Sequence, residues 1–289
     1  MNVDFIELCK PTQKKIKEML VGALREYGYD PVAADGFIYA KGDGKSPILL
    51  TAHMDTVHKE QPRNFVIEEG KLSSPQGIGG DDRCGIWIIL QVLDSSKYRP
   101  SILFCEDEEI GGKGSEKFCA TDYLKDLTKL KFLVQIDRHG SNDAVYYDCD
   151  NTDFSDFIYD AIGYKESWGT FSDISNLAPT SAVAAVNLSC GYYNEHTLKE
   201  YVVLQEMEDT YDAVIKLIEL SQSETVPQFE YVEAFHSYSG WGSYISGMYI
   251  YANDVEDFVQ CDTMDEGFGR FLRMYPTLTY NDIYDYEIW

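Results

Sequence analysis

Positive charge is scarce in this chain. Among 289 residues, 24 lysines and arginines face 49 aspartates and glutamates, a formal net charge of −25. Such a surface repels phosphate backbones and anionic lipid, so neither nucleic acid nor a membrane is an expected partner. A substrate with a free amine is drawn toward it, although the same charge also serves simply to keep a protein dispersed. Apolar runs long enough to cross a bilayer are missing. The opening stretch MNVDFIELCKPTQKKIKEML lacks a basic segment followed by an apolar one, so no export signal is read and the cytoplasm is the expected compartment. Paired cysteines are missing too. The seven cysteines are scattered, with no CxxC, which suits reduced thiols and argues against a disulfide framework or a thiolate zinc site. There is no GxSxG elbow and no GxxxxGK[ST] loop, which disfavours a serine hydrolase and a P-loop nucleotidase.

What is present is an α/β pattern. Apolar residues make up 44% of the chain, enough for a sizeable core. Helical spacing runs over 11–28, and further helices are expected over 82–93, 115–127, 154–163 and 197–221. Strands are expected around 37–42, 46–53, 65–72, 101–106, 132–137, 144–148 and 182–188. Strands alternating with helices predict a largely parallel sheet with its ligand site beyond the carboxyl ends of the strands. After Ser221 the composition turns rich in Tyr, Asp and Glu, and its periodicity becomes irregular. This predicts a domain over 1–221 and a small appendage over 222–289.

Chemistry-bearing residues fall at the predicted strand ends. LLTAHMDTV puts His53 and Asp55 two apart, on one face of a strand end. A carboxylate there can hold the far nitrogen of a metal-bound imidazole, or simply cap a turn. GIGGDDRCG follows, with Asp81 and Asp82 at a helix start. One of them can cap that helix, or Asp81 can bridge two metals. CEDEEIGG comes directly after a buried strand and ends in a double glycine. Adjacent glutamates can divide the labour, one on metal and one on the proton of an attacking water. Asp137 closes the apolar strand KFLVQID, and His196 sits in CGYYNEHTLKEYV. Each piece alone also suits a cap, a turn or a solvated loop. In order, they form a nitrogen and oxygen donor set suited to a pair of cations such as zinc.

This series resembles the co-catalytic zinc exopeptidases, the superfamily of aminopeptidases, tripeptidases and aminoacylase relatives, over roughly residues 45–200. The resemblance implies a three-layer α/β/α fold with a mixed, largely parallel sheet. It implies that His53, Asp81, Glu109, Asp137 and His196 are metal ligands, with Asp81 bridging and Asp82 as the fallback. Asp55 would orient His53, and Glu108 would be the general base. Two divalent ions are implied, zinc first, with cobalt or manganese as alternatives. By the same likeness, GTFSDISNLAP places Asp173 near the substrate. Arg138, His139, Tyr192 and Tyr193 are candidates to help an oxyanion. The usual lid or dimerisation domain has no room in 138–195 or 56–80, so a compact form is expected, with its oligomeric state open. The activity implied is hydrolysis of a short peptide by an aminopeptidase or di/tripeptidase. The alternatives are an amidohydrolase of N-acyl amino acids or a carboxypeptidase, and a non-catalytic metal-binding protein that retains the fold.

Overall fold

A computed structural model divides the chain into two compact units, Met1–Phe235 and His236–Trp289. It describes residues 4–234 of the first and 248–252, 255–259, 270–272, 274–275, 278–279 and 283–288 of the second.

The first unit opens with α1 (Phe5–Cys9), α2 (Gln13–Glu26), β1 (Val32–Ala34), β2 (Phe37–Ala40), β3 (Ile48–His53), β4 (Val66–Glu68) and β5 (Lys71–Ser73). Then come α3 (Gly80–Ser95), β6 (Ser101–Cys105), α4 (Lys113–Cys119), α5 (Leu124–Leu127), β7 (Phe132–Arg138) and β8 (Asp143–Val145). It closes with α6 (Thr152–Ile162), β9 (Lys165–Ser167), α7 (Asp173–Ser181), β10 (Ala185–Ser189), β11 (Tyr192–Tyr193), β12 (Tyr201–Val203) and α8 (Leu204–Ser221).

The main sheet has the order β1-β2-β6-β3-β7-β10-β8-β9. Its centre, β6-β3-β7-β10, is parallel, while β2 and β8 join antiparallel. Alternation along the central strands builds two cores. Leu50, Phe104 and Val134 face α1, α2, α3, α6 and α8; Leu49, Leu103 and Leu133 face α4, α5 and α7. Both faces of a parallel sheet must be covered, which is why β3 reads as an unbroken apolar run. The result is the expected three-layer α/β/α fold with a mixed, largely parallel sheet.

Two expected helices change. The expected helix over 115–127 is broken, and α4 stops at Cys119, where the Thr121 hydroxyl donates to the Phe118 carbonyl, 2.7 Å. The long helix expected from 197 begins only at Leu204. Asn194 and His196 have φ of 57° and 62°, outside the helical region, and Tyr201–Val203 pairs with Lys71–Ser73. That pairing makes a second sheet, β11-β12-β5-β4, with His196 in the turn between its first two strands.

The stretch after α8 stays with the first unit. Phe229 is buried in its core, donates its N–H to the Lys131 carbonyl, 2.8 Å, and accepts from Ala184 N–H, 2.9 Å. The units therefore divide at 235/236 rather than at 221/222. The span 56–80 holds only the β4–β5 hairpin, and 138–195 continues the main fold, so neither span carries an inserted domain. In the second unit, β14 (Val255–Val259), β13 (Met248–Ala252) and β15 (Ile283–Ile288) form an antiparallel sheet over Ile250, Ala252, Val259 and Phe271. No helix among the described residues is long and apolar enough to cross a membrane.

Candidate metal centre

The carboxyl ends of β3, β6 and β7 lie side by side, which brings three of the sequence motifs together. His53 ends β3, fully buried. Its Nδ1 stands 3.2 Å from Asp55 Oδ1, and its Nε2 is 2.8 Å from Asp81 Oδ1 and 3.5 Å from Asp137 Oδ1. With the proton on Nδ1 toward Asp55, Nε2 turns its lone pair to the other two carboxylates. Asp55 also accepts the backbone N–H groups of Glu108 and Glu109, each at 3.1 Å. Burial would raise its carboxyl, yet His53 and these amides hold it below its ordinary value. One carboxylate thus fixes both an imidazole and the acidic loop after β6.

Asp81 and Asp82 have separate tasks. Neither has helical backbone angles, although both stand at the start of α3. Asp82 Oδ1 accepts Gly85 N–H at 2.9 Å, and its Oδ2 accepts His53 N–H at 3.1 Å. It is the helix cap, and it ties that cap to β3. Its atoms lie close enough to His53 and Asp137 to join a metal cluster, but both oxygens already accept backbone donors. Gly85 leaves this corner room: a Cβ there would come within 2.2 Å of the Ile136 carbonyl. Asp81 is left for the site. Its Oδ1 faces His53, and its Oδ2 lies 3.2 Å from His196 Nε2.

His196 also meets Glu109 Oε2 at 2.9 Å, and these two carboxylates push the imidazole up to about 11. Asp137 is held from behind. Gln135 Nε2 and Ser172 Oγ donate to its Oδ2 at 3.0 and 3.1 Å, and Tyr192 OH donates to its Oδ1 at 3.2 Å. Burial, opposed by His53, pushes the Asp137 carboxyl up to about 7.

These donors fit divalent cations. Each of His53, Asp81 and Glu109 offers an atom within 4.8 Å of the others. Glu109 Oε1 is buried and has no hydrogen-bond partner. Buried carboxylates facing one another are costly, and a cation among them offsets that cost. The set is nitrogen and oxygen without thiolate, as zinc accepts.

The remaining candidates stand outside the donor set. Asp173 stands in the first turn of α7 with 0% exposure, enclosed near Ser115 and Cys105, so it offers no face to a substrate. Tyr193 turns away to Glu206, 2.6 Å, and stacks on Tyr201. His139 is partly exposed and paired with Glu195 at 2.6 Å. Arg138 is half-buried at the end of β7.

Several working residues escaped the sequence reading. Gln135 and Asn187 interrupt apolar strands, and Gln135 shares a face with Asp137 by two-residue spacing, so a polar residue inside a buried run was the available signal. Asn187 brackets the Asp137 backbone, accepting its N–H at 2.9 Å and donating to its carbonyl at 2.8 Å. Glu200 had no such signal. It is fully buried and accepts from Gly79 N–H at 2.9 Å and Asp81 N–H at 3.0 Å, and it stands 2.6 Å from His58 Nε2. Four residues past His196, it clasps the His196 turn to the Asp81 loop. Gly77 is required beside it, because a Cβ there would lie 2.2 Å from the His58 ring. Glu200→Gln puts an amide where an N–H donor must be accepted. Metal affinity is expected to fall roughly 10–100-fold, measured by chelator competition with circular dichroism as the fold control. Unaltered affinity would show that the clasp does not act on Asp81.

An α/β sheet with imidazoles and carboxylates converging at its carboxyl edge is the build of a metal-dependent hydrolase. The model of Peptidase family M28 matches residues 38–188, just over half of the chain, and the chain belongs to that zinc-dependent peptidase family. A search of curated protein sequences finds no match. Among solved structures, aminopeptidase PepT from Bacillus cereus is similar at 16% identity and a TM-score of 0.62, over 76% of this chain and 97% of that one. An aminopeptidase from the archaeon Desulfurococcus kamchatkensis is similar at 14% identity and a TM-score of 0.57, over 77% and 98%. A glutaminyl cyclase from Porphyromonas gingivalis shares the fold at 14% identity and a TM-score of 0.51, over 75% and 95%.

Proposed function

We propose that this peptidase is a dinuclear metallo-aminopeptidase acting on short peptides. His53, Asp81 and Asp137 would hold one divalent ion, and Asp81, Glu109 and His196 the other, zinc being the first choice and cobalt or manganese compatible with the same donors. The observation that carries this reading is Asp81, whose two oxygens face histidines from two separate elements, the end of β3 and the turn before β12, at 2.8 and 3.2 Å. When bound, such a pair supplies Lewis acidity and a water acidic enough to attack a carbonyl near neutral pH. Glu108 takes the proton of the attacking water and delivers it to the leaving amine. Asp55 keeps His53 in the tautomer whose Nε2 points inward, and Tyr192, Ser172 and Gln135 fix the Asp137 carboxylate. The names of the B. cereus and D. kamchatkensis relatives favour an aminopeptidase.

The test is a panel of short peptides offered to the zinc-loaded protein with the N-terminus free, the N-terminus acetylated, or the C-terminus amidated. Chelator-sensitive cleavage that requires the free amine is expected. Cleavage that instead requires a free carboxylate would move the protein to the carboxypeptidase or deacylase side. Two bound ions with no cleavage would remove the peptidase assignment.

A further inference from the structure

One cation beside this centre has no task in the scheme above. Arg138 closes β7 directly after the ligand Asp137, half-buried, in a chain with 49 acidic side chains. Its Nε is enclosed and meets no hydrogen-bond partner, and no carboxylate among the described residues pairs with its guanidinium. Arg83 also has an enclosed Nε without a partner, and it differs in its terminal nitrogens. That buried arginine donates to the Met54 and Pro11 carbonyls at 2.8 and 3.1 Å, and so acts as a brace between loops. Arg138 braces nothing.

The register between β7 and β10 shifts between Asn187 and Ser189, which sets Arg138 opposite Ser189, two residues on from the Asn187 that pairs with Gln135, and so on the face that Gln135 shares with Asp137. Burial keeps the Tyr147 phenol protonated, and Asn187, Ser172 and the nearby positive charge of Arg138 act against that rise. Tyr147 OH accepts from Asn187 Nδ2 at 3.0 Å, Asn187 Nδ2 also meets Ser172 Oγ at 3.3 Å, and Ser172 donates to Asp137 at 3.1 Å. The loop before α7 borders the same wall, since a Cβ on Gly169 would lie 3.1 Å from the Tyr147 ring. An unpaired charge drawn partly out of water is costly, and such costs gather at binding sites. A planar guanidinium with unspent donors matches a carboxylate in two parallel hydrogen bonds, which a lysine cannot reproduce.

We propose that Arg138 anchors a carboxylate of the substrate, making this a peptidase for anionic short peptides. The inference rests on the peptidase reading above. The carboxylate has two sources, an acidic side chain on the first residue or the free C-terminus of a dipeptide or tripeptide. An anionic substrate approaching an acidic protein needs such a fixed cation, because the surrounding field opposes it.

Two matched pairs separate the sources. Glutamyl and glutaminyl anilides differ only in the side chain, and alanyl-alanine and its amide differ only at the C-terminus. The parent enzyme is expected to favour the carboxylate member of one pair by on the order of 10–100-fold in kcat/KM, chiefly through KM. Arg138→Gln brings that ratio close to one, and Arg138→Lys restores part of it, with circular dichroism checking the fold. Thermal melting with glutamate against glutamine, and with alanyl-alanine against its amide, reads binding without turnover. Equal treatment of both members of each pair by the parent, or a preference that survives in Arg138→Gln, overturns the proposal while leaving the peptidase standing. Arg138-dependent stabilisation by a carboxylate, with no peptide cleaved, keeps the anchor and removes the peptidase reading. Neither cleavage nor preferential binding removes both.

Discussion

Glu108→Gln yields a folded protein that still binds its metal and has lost turnover by on the order of 10³-fold or more. The neighbouring glutamates are not equivalent. Glu109 is held by His196 at 2.9 Å, whereas the Glu108 carboxylate accepts no hydrogen bond from a described residue. Both backbones are pinned by Asp55, so Glu108 presents a fixed but unengaged base beside the cluster. Among protein groups alone, burial pushes its carboxyl up to about 9, helped by Asp137, Asp173 and Asp81 and opposed by His53. A divalent cation nearby acts in the opposite direction and brings the group into the range useful to a general base. Glutamine keeps the size and the backbone contacts but cannot accept a proton. The measurement is kcat on a cleaved peptide beside the metal content of the same preparation. Activity within tenfold of the parent would show that another group takes the proton.

The legibility of the sequence followed the physics of each element. Buried parallel strands are near-continuous apolar runs, so SPILLTAH and KFLVQID are legible as strands, and the polar residues closing them stand out. That is why His53, Asp55, Asp81, Glu108, Glu109 and Asp137 could be read as a series, and the structure brings them together with His196. The sequence from Thr197 onward reads as helix, whereas His196 and the residues up to Glu200 form a turn. Its residues have no short-range signature, and its shape depends on pairing with β5, more than a hundred residues earlier. Long-range pairing of that kind leaves no periodicity in the segment itself. Glu200 was invisible for the same reason. A glutamate in a polar turn reads as solvated, and only the fold reveals that it meets Gly79, Asp81 and His58. Asp173, which the likeness of its loop places near the substrate, is packed inside the protein in the first turn of α7.

The same isosteric change at two adjacent positions, Asp81→Asn and Asp82→Asn, is expected to give opposite results. Asparagine has one carbonyl oxygen in place of two and puts a donor on the other side. At Asp81 that donor faces either His53 or His196, each of which lies within 3.2 Å of its own carboxylate oxygen. One half of the cluster therefore loses its shared anion. The expected outcome is a fall from two bound ions to one at most, with activity lost by on the order of 100-fold or more, because the Asp81 carboxylate faces both histidines of the donor set. At Asp82 the lost acceptor serves a backbone N–H, either of Gly85 or of His53. That leaves a buried amide without a partner and costs about 1–3 kcal/mol of stability, read as a lower melting temperature. Both ions should still bind. Metal analysis and thermal melting on the two variants together decide the assignment. If Asp82→Asn empties the site and Asp81→Asn only lowers the melting temperature, the bridging carboxylate is Asp82, and Asp81 is not part of the shared site.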